Sequence, residues 1–447
     1  MDLAERAVSK AQWRLVPLLC LLYFISYVDR TNIAFAALTM NKALGLTATQ
    51  YGLAAGLFYI GYIAVEIPSN LIQTKVGARL WIPRIMISWG IVSAATALVV
   101  GANSFYSARV LLGAAEGGFF PGMIYYITLW FPRAYRSRVI GRFMVATSFS
   151  GLLGGPLASL IFARFEGALG LASWQWLFIV EGVPAVLLGI ACWWLLPDRP
   201  AHAKWLTQPE RDALEARLAR EADEAHAVRP LSLLQGMTNW RVLLLSFQMF
   251  CGQATSIGLT FWMPQIIKGT GLSNVSVGLF SMLPYGLGAV SLLLYSRFAD
   301  STRDRAVPLA AAMAVSAVGM VAIGLAGGDA TLTIAALMFT VLVQANINPL
   351  LWSLPTTFLT GVAAAGAYGV ISSIGASSGF FAPTLIGWAK DRFGGFSPSM
   401  YCIAGVLVMS ATLLIVFCRG LSADAAKQAA ELAPPAGTAV QRMEADG

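Results

Sequence analysis

Four charged side chains lie in stretches of the chain that are otherwise apolar. Asp29 and Arg30 are neighbours in the stretch SYVDRTNIAF, and Arg109 and Glu116 lie in the stretch RVLLGAAEGG. Ionisable residues inside membrane helices are costly, and they mark substrate and proton pathways. A guanidinium presents a planar fork of donors that matches a carboxylate, and a buried carboxylate changes its protonation as cations approach or withdraw. These residues predict anion binding coupled to proton transfer.

Helical spacing assigns the four side chains to different faces. Successive residues of a helix are rotated by about 100°, so Arg109 and Glu116 share one stripe of their helix. Asp29 is turned away from Arg30, and the stripe of Arg109 and Glu116 is its expected charged partner. Arg30 shares a face with Tyr27, which favours a cavity. The alternative is a static salt-bridge network that only holds the two helices together.

The apolar runs that carry these residues are long enough to cross a membrane. Hydrophobic residues make up 57% of the chain and charged residues 12%, and about 20 apolar residues span a ~30 Å hydrocarbon core. Because lipid cannot satisfy open backbone groups, we expect an all-α integral membrane protein of twelve transmembrane helices. The twelve runs cover 13–38, 50–72, 81–101, 103–129, 138–165, 174–196, 240–268, 275–297, 306–326, 331–357, 366–389 and 398–420.

One polar insert divides these spans into two sets of six. We predict an N-terminal bundle at 13–196, a cytoplasmic linker with an amphipathic helix at 197–239, and a C-terminal bundle at 240–420. The tail at 421–447 is rich in Ala and Pro, which predicts disorder. Two pseudo-symmetric halves of six helices are typical of transporters with a substrate site near the membrane midplane.

The distribution of basic residues predicts the orientation. If the N-terminus is cytoplasmic, 23 of the 30 Lys and Arg residues fall in cytoplasmic segments, which fits the positive-inside rule with both termini inside. We expect no cleavable signal peptide, because the first run is too long. We expect membrane lipid to surround the protein. The sequence offers no basic face that could bind nucleic acid. Five cationic residues fall in outer loops: Lys42, Arg164, Lys268, Lys390 and Arg392.

The sequence gives little support for an enzyme or for a metal-binding protein. The five cysteines lie in or at the ends of apolar spans, and the two histidines, His202 and His226, lie in the polar insert. We therefore expect no metal site and no cofactor. An enzyme would need a convergent catalytic set and a sensor would need a signalling domain, and the sequence indicates neither.

Several polar residues have two open interpretations. Gln253 and Asn346 lie near the middle of their spans, where an amide either lines a pocket or bonds neighbouring helices. Glu66 and Glu181 are either structural partners of arginines on the cytoplasmic side or functional groups.

At this point the motifs resemble a known family. The stretches YVDRTNIAFA, FYIGYIAVEIPSN, RVLLGAAEGGFFPGMIYYITLWFPRAYRSRVIG and LPTTFLTGVAAAGAYGVISSIGASSGFFAPTLIGW are similar to the anion:cation symporter family of the major facilitator superfamily, over about 13–420. Members of that family import organic carboxylates such as tartrate, sugar acids and aromatic acids with protons in bacteria. The resemblance implies the same fold and no enzymatic activity.

The resemblance also implies roles for residues. Asp29 and Glu116 match proton-handling carboxylates, Arg109 matches the arginine that pairs with them, and Arg30 matches a carboxylate-binding arginine. Pocket-lining positions fall on Tyr27, Tyr62, Trp352, Ser353, Ser372 and Ser373. Many relatives carry Asn near Ser372 and near Ala376, so substrate hydrogen bonds on that side differ here.

We therefore predict a proton-coupled symporter that imports a small organic carboxylate by alternating access. We expect a monomer in the bacterial inner membrane, with the organic anion and protons as its ligands. The alternative is an anion exchanger or exporter of organic acids with the same fold.

Overall fold

The computed structural model describes residues 2–226, 240–302, 306–354 and 361–432. Within those ranges the secondary structure is helical and contains no strand. The first part of the chain forms seven of the principal helices: α1 (Leu3–Ala43), α2 (Ala48–Val76), α3 (Ala78–Ala95), α4 (Ala102–Glu116), α5 (Phe119–Trp130), α6 (Arg133–Arg164) and α7 (Ser173–Leu195).

The second part repeats this plan after a helix in the polar insert. The helices are α8 (Gln208–His226), α9 (Trp240–Lys268), α10 (Asn274–Ser301), α11 (Ala306–Leu325), α12 (Ala330–Gln344), α13 (Ile347–Ser353), α14 (Gly361–Phe393) and α15 (Ser397–Leu432). Counted over the described residues, twelve helical segments are long and apolar enough to cross a membrane. This confirms the predicted all-α class with twelve transmembrane spans.

Two spans at corresponding positions are interrupted. The fourth span consists of α4 and α5, and the tenth span consists of α12 and α13. Gly117 and Gly118 separate α4 from α5, and Gly118 adopts a left-handed backbone with φ 90°, which glycine tolerates without steric cost. Broken helices at matching places in two halves are a feature of transporter binding sites.

The two sets of spans pack against each other near one end of the bundle. Helix α2 packs on α14, α6 packs on α10, and α1 packs on α9. Glycines make these contacts close, because a Cβ at Gly52 would meet the Pro383 backbone and a Cβ at Gly155 would meet the Gly278 backbone. We call this region, where the first turn of α2 meets the last turns of α14, the closed end.

The closed end also carries a cap that joins the two sets of spans. The Asp391 carboxylate on α14 accepts hydrogen bonds from the backbone N–H of Ala48 (3.1 Å) and of Thr49 (2.7 Å), and from the Thr49 hydroxyl (2.6 Å). These N–H groups belong to the first turn of α2 and have no partner within their own helix. Asp391 therefore satisfies a helix terminus that belongs to the other half.

The polar insert packs on the first helix. Lys10 on α1 donates to Glu210 on α8 at 2.7 Å and 2.9 Å. Glu210 also accepts a hydrogen bond from the Thr207 backbone N–H at 2.9 Å. Residues 227–239 of the predicted linker lie outside the described residues. Helix α15 continues to Leu432, which differs from the disorder predicted for 421–447, and residues 433–447 also lie outside the described residues.

Candidate functional site

A buried ion pair joins α1 to α4 at the centre of the first half. Arg30 Nη2 lies 2.6 Å from Glu116 Oε1. The same carboxylate oxygen accepts a hydrogen bond from the Ser26 hydroxyl at 2.9 Å. The Glu116 side chain is 1% exposed, whereas the Arg30 side chain is 18% exposed. Arg30 is thus the more accessible partner of the pair, and the Glu116 carboxylate is buried.

The break in the fourth span places Glu116 at a helix end. Glu116 is the last residue of α4, and the following Gly117 and Gly118 let α2 approach closely. A Cβ at Gly117 would lie 3.0 Å from the Tyr62 carbonyl oxygen, and a Cβ at Gly118 would meet the Ser69 side chain. The glycines therefore bring the Tyr62 face of α2 against the end of α4.

Aromatic rings from α2 surround both arginines. The Arg30 guanidinium carbon lies 5.3 Å from the Phe58 ring centroid and 5.2 Å from that of Tyr62. The Arg109 guanidinium carbon lies 5.0 Å from the same Phe58 ring. Cations at these distances are attracted by the ring quadrupole, most strongly when water is excluded. Phe58 thus contacts both a partly accessible cation and a buried one.

Arg109 is fully buried, with 0% of its surface exposed. Its three guanidinium nitrogens donate no hydrogen bond to any residue that the structure describes. Its charge interacts with Asp29 and Glu116. A buried cation without hydrogen bonds depends on nearby negative charge to offset its desolvation, so Arg109 requires the carboxylates around it.

Asp29 faces α3 and is turned away from Arg30. Its Oδ1 accepts hydrogen bonds from the Ser93 hydroxyl and from the Asn32 amide, the latter at 3.2 Å. Its charge interacts with Arg109, as the helical spacing predicts. The structure differs from that prediction in one respect, because Glu116 pairs with Arg30 and does not face Asp29 as its partner.

The two carboxylates that the sequence leaves open occupy different surroundings. Glu66 is half-buried, and its charge interacts with Arg30. Glu181 on α7 is 5% exposed and interacts with Asp29 and Asn32. The groups next to Glu181 are therefore a buried carboxylate, which repels its negative charge, and an amide. In the part of the chain that the structure describes, they do not include the cytoplasmic-side arginine of the first interpretation.

The aromatic residues predicted for the pocket lie near Arg30. Tyr62 contacts the guanidinium through its ring, as described above, and Tyr27 is half-buried one turn before Arg30 on α1. Tyr27 also faces the second half, where it lines a small cavity with Thr260 of α9 and Tyr285 of α10. The structure therefore brings Tyr27, Tyr62 and Arg30 together.

The predicted residues of the second half are more dispersed. Gln253 on α9 is half-buried against α14, where a Cβ at Gly375 would lie 3.1 Å from its Nε2. Ser372 and Ser373 are exposed, and Trp352 is 36% exposed. The side chain of Ser353 lies outside the described residues.

Asn346 is placed between helices and away from Arg30. Its side chain is 3% exposed and donates to the Ser291 hydroxyl on α10 at 3.0 Å. It also reaches two backbone carbonyls of α12 at 3.3 Å, next to the break of the tenth span. This geometry favours the interhelical interpretation that the sequence leaves open.

Contacts between α2 and α14 locate the space that the halves enclose. They run from the Asp391 cap to Phe380, whose carbonyl oxygen would lie 2.7 Å from a Cβ at Gly56, and on to Gly379, which packs on the Tyr59 ring. Two turns further along α14, Ser372 is exposed. These close contacts between the halves therefore reach from the cap to Tyr59, about one turn before Tyr62 on α2.

Sequence reasoning missed three neutral residues of the site. Ser26 lies one helical turn before Arg30, so the i to i+4 spacing contains a signal for it. Ser93 and Phe58 come from other helices, and no local pattern indicates that they meet Asp29 and the arginines. In the described part of the chain, no group of three or more His, Cys, Asp or Glu side chains forms a metal-binding cluster.

Comparisons with known proteins agree with this fold. Residues 19–383 match the Major Facilitator Superfamily. A protein described as a putative tartrate transporter of Agrobacterium vitis is 43% identical over 94% of this chain and 96% of its own length. A quinolone resistance transporter of Acinetobacter baumannii is 36% identical over 93% of this chain and 95% of its length.

Solved structures show the same fold at lower sequence identity. A partially occluded, inward-open structure of the xylose transporter XylE from E. coli superposes with a TM-score of 0.72 and 16% identity. It covers 91% of this chain and 98% of the xylose transporter chain.

Proposed function

The chain belongs to the major facilitator superfamily and is a multi-pass membrane transporter, not an enzyme; on that premise we propose that it is a proton-coupled symporter that imports a small organic carboxylate. The observation that carries the proposal is the ion pair in which Glu116 Oε1 lies 2.6 Å from Arg30 Nη2. A substrate carboxylate offers the same chemical group as Glu116.

Competition for Arg30 supplies the coupling. When a substrate carboxylate binds Arg30, Glu116 loses its closest cation while its side chain stays 1% exposed. An ionised carboxylate without a partner is very costly in such surroundings, so it takes up a proton instead. Anion binding and protonation of Glu116 therefore favour each other. When Glu116 releases the proton, it regains Arg30 and displaces the substrate.

Asp29 and Arg109 support this exchange from behind. Arg109 is buried beside both carboxylates and carries a permanent charge. It stabilises the ionised form of Asp29 when Glu116 is paired with Arg30. During transport, Arg109 is drawn toward another negative charge and no longer neutralises Asp29. We propose that Asp29 holds a proton in that part of the cycle.

The surroundings of Arg30 favour a small, polar acid. Tyr27 and Tyr62 offer rings and hydroxyl groups next to the guanidinium, and Gln253 and Ser372 offer hydrogen-bonding groups from the second half. The similarity to a tartrate transporter supports a hydroxy acid, and we propose tartrate, sugar acids and aromatic acids as the substrates to test.

The proposed mechanism is alternating access between two rigid halves, 13–196 and 240–420, joined by the linker at 197–239. The positive-inside rule supports cytoplasmic termini in the bacterial inner membrane. In that orientation the closed end faces outward, and Arg30 is reached from the cytoplasm. We propose that the protein works as a monomer, because each half contributes to the one site.

Transport by purified protein in liposomes tests the proposal. An inward proton gradient should drive accumulation of a radiolabelled acid above its external concentration, and a protonophore should abolish the accumulation. Exchange or export of organic acids is the second candidate, which the similarity to a quinolone resistance transporter favours. Counterflow of labelled against unlabelled acid without any gradient-driven accumulation would reject symport and support exchange.

A further inference from the structure

A second pair of carboxylates lies behind Arg109, away from Arg30. Asp29 on α1 is 1% exposed and Glu181 on α7 is 5% exposed. Asn32 lies next to both, since its amide donates to Asp29 Oδ1 at 3.2 Å and also interacts with Glu181. We call Asp29 and Glu181 the acid pair. Glu181 has no role in the coupling described above.

The acid pair has more acceptors than donors. Asp29 Oδ2, Glu181 Oε2 and Asn32 Oδ1 are all buried and have no hydrogen-bond partner within the described ranges. The donors to the pair are the hydroxyl of Ser93 and the amide of Asn32. Buried polar atoms are nearly always hydrogen-bonded, so three unpartnered acceptors in one cluster indicate that the cluster binds something that donates.

The charges around the pair point to the same conclusion. The groups whose charges act on the pair are Arg109 and Glu116 from α4, while α3 contributes the neutral Ser93. Arg30 offsets Glu116 through their ion pair, which leaves Arg109 as the cation near two carboxylates. If Asp29 and Glu181 were both ionised, one buried negative charge would have no counterpart. A single proton removes that imbalance and supplies the missing donor.

We propose that Asp29 and Glu181, with Asn32 beside both, hold one proton between them, so that Glu181 is a second proton-binding residue of the transporter. Asp29 remains ionised beside Arg109 while Glu181 holds the proton and donates it to an unpartnered acceptor of the cluster. When the charge of Arg109 is drawn toward Glu116 or a bound anion, Asp29 takes up a proton and Glu181 releases its own, so the pair holds one proton throughout. This assignment rests on the proposed proton coupling for its role in transport, but the protonation itself does not.

Infrared spectroscopy tests the protonation directly. The carbonyl stretching band of protonated carboxyl groups is recorded for the purified protein in lipid as the pH is raised through neutrality. At neutral pH we expect one buried carboxylic acid in the wild type, whose band is lost in Glu181→Gln. Glu5→Gln, which alters an exposed glutamate of α1, should keep the band. A band that persists unchanged in a folded Glu181→Gln variant overturns the proposal.

The pH dependence of ligand binding provides a second test of the proposal. Log Kd changes with pH by one unit for each proton taken up on binding, and the wild-type acid pair holds one proton before and after binding. In Glu181→Gln, Asp29 must take that proton from solvent, so the pH slope for binding of the transported acid should rise by one, or about tenfold more change per pH unit. An unchanged slope overturns the proposal. So does a wild-type melting temperature that rises with Na⁺ over choline and loses this rise in Glu181→Gln, because the acid pair would then bind sodium.

The outcomes separate this inference from the proposed function. If the wild type shows no proton-driven uptake but the infrared band behaves as expected, symport fails and the shared proton stands. If uptake is proton-driven and the band is absent from the wild type, the shared proton fails and symport stands. The melting temperature of each variant in detergent verifies that it is folded.

Discussion

Arg30 donates to the same oxygen of Glu116 that accepts the Ser26 hydroxyl, at 2.6 Å and 2.9 Å. The residue expected to bind the anion is thus held by the residue expected to carry the proton. The other oxygen, Glu116 Oε2, is buried and has no partner among the described residues. The pair is therefore built around one shared oxygen, which a second carboxylate can replace at the exposed side of Arg30.

Replacing Arg30 should abolish substrate binding. Arg30→Ala removes the guanidinium fork and also leaves Glu116 buried without a cation, so both binding and counterflow should be lost. A ligand at 100 times its Kd stabilises the folded state by about 2.7 kcal/mol, and this ligand-dependent rise in melting temperature should disappear. Arg164→Ala, at an exposed position on α6, should keep the rise. Normal binding by Arg30→Ala would refute its assignment to the substrate.

Replacing Glu116 should separate exchange from accumulation. Glu116→Gln keeps the size and one oxygen of the side chain but cannot release a proton. We expect proton-driven accumulation to be lost and counterflow of labelled acid to continue. The variant should also bind the acid with less dependence on pH, because the competing carboxylate is absent. Accumulation at the wild-type level would exclude Glu116 from coupling.

Arg109 and Asp29 should depend on each other. Removing one partner of a buried charge pair costs about 3–5 kcal/mol, so Arg109→Met should strongly lower the melting temperature. The double variant Arg109→Met with Asp29→Asn removes both charges and should recover a large part of that loss. Additive effects of the two substitutions would show that the charges are not coupled, and the double-mutant cycle measures this directly.

The cap at the closed end should control how often that end opens. Asp391→Ala removes acceptors from the first turn of α2, and loss of a helix cap costs about 0.5–2 kcal/mol. The population of the opened state should therefore rise by up to about thirtyfold, since 1.4 kcal/mol is a factor of ten. Maleimide labelling of Thr384→Cys in a background without native cysteines measures the opening.

A matched control for this cap is Asp329→Ala. Asp329 caps α12 through the Leu332 backbone N–H at 2.8 Å, and that contact lies within one half. Its loss should destabilise the protein without raising the labelling of position 384. Equal labelling in both variants would indicate general loosening and not opening of the closed end.

Docking of the polar insert should weaken in acid. The hydrogen bond from Lys10, followed by those from Thr207, lowers the pKa of Glu210 below its usual range. The folded state therefore favours the ionised carboxylate, so its contribution is present above the pKa of the unfolded state. It is lost as the pH falls through the lowered pKa. Hydrogen exchange of α8, corrected for intrinsic rates, should accelerate in that range, and Glu210→Gln should show fast exchange at every pH.

The sequence predicts the spans well and their interruptions poorly. Hydrophobic length is enough to locate twelve helices, because the membrane imposes the length. The break after Glu116 depends on Gly117 and Gly118, and glycine in a membrane helix serves either for a break or for close packing. Only the approach of Tyr62 and Ser69 from α2 decides between the two, and that contact joins residues distant in sequence.

For the site, too, the sequence predicts relations within one helix but not contacts between helices. Helical rotation correctly turns Asp29 away from Arg30, because that relation is local. It does not predict that Glu116 pairs with Arg30, since this depends on how α1 and α4 are placed side by side. Likewise, Asn346 lies against Ser291 and Glu181 lies near Asp29 because of how the helices pack. A single sequence does not predict the relative positions of packed helices.

The backbone contacts at the closed end offer a steric means of isolating the opposite conformer. Pro383 and Gly278 oppose Gly52 and Gly155 with main-chain atoms, which cannot rotate aside as a side chain would. A bulky residue introduced at either glycine would clash with the opposing backbone and force the two helices apart. Such a variant would populate the conformer that is open at this end without any antibody or inhibitor, and would make that conformer accessible to structure determination.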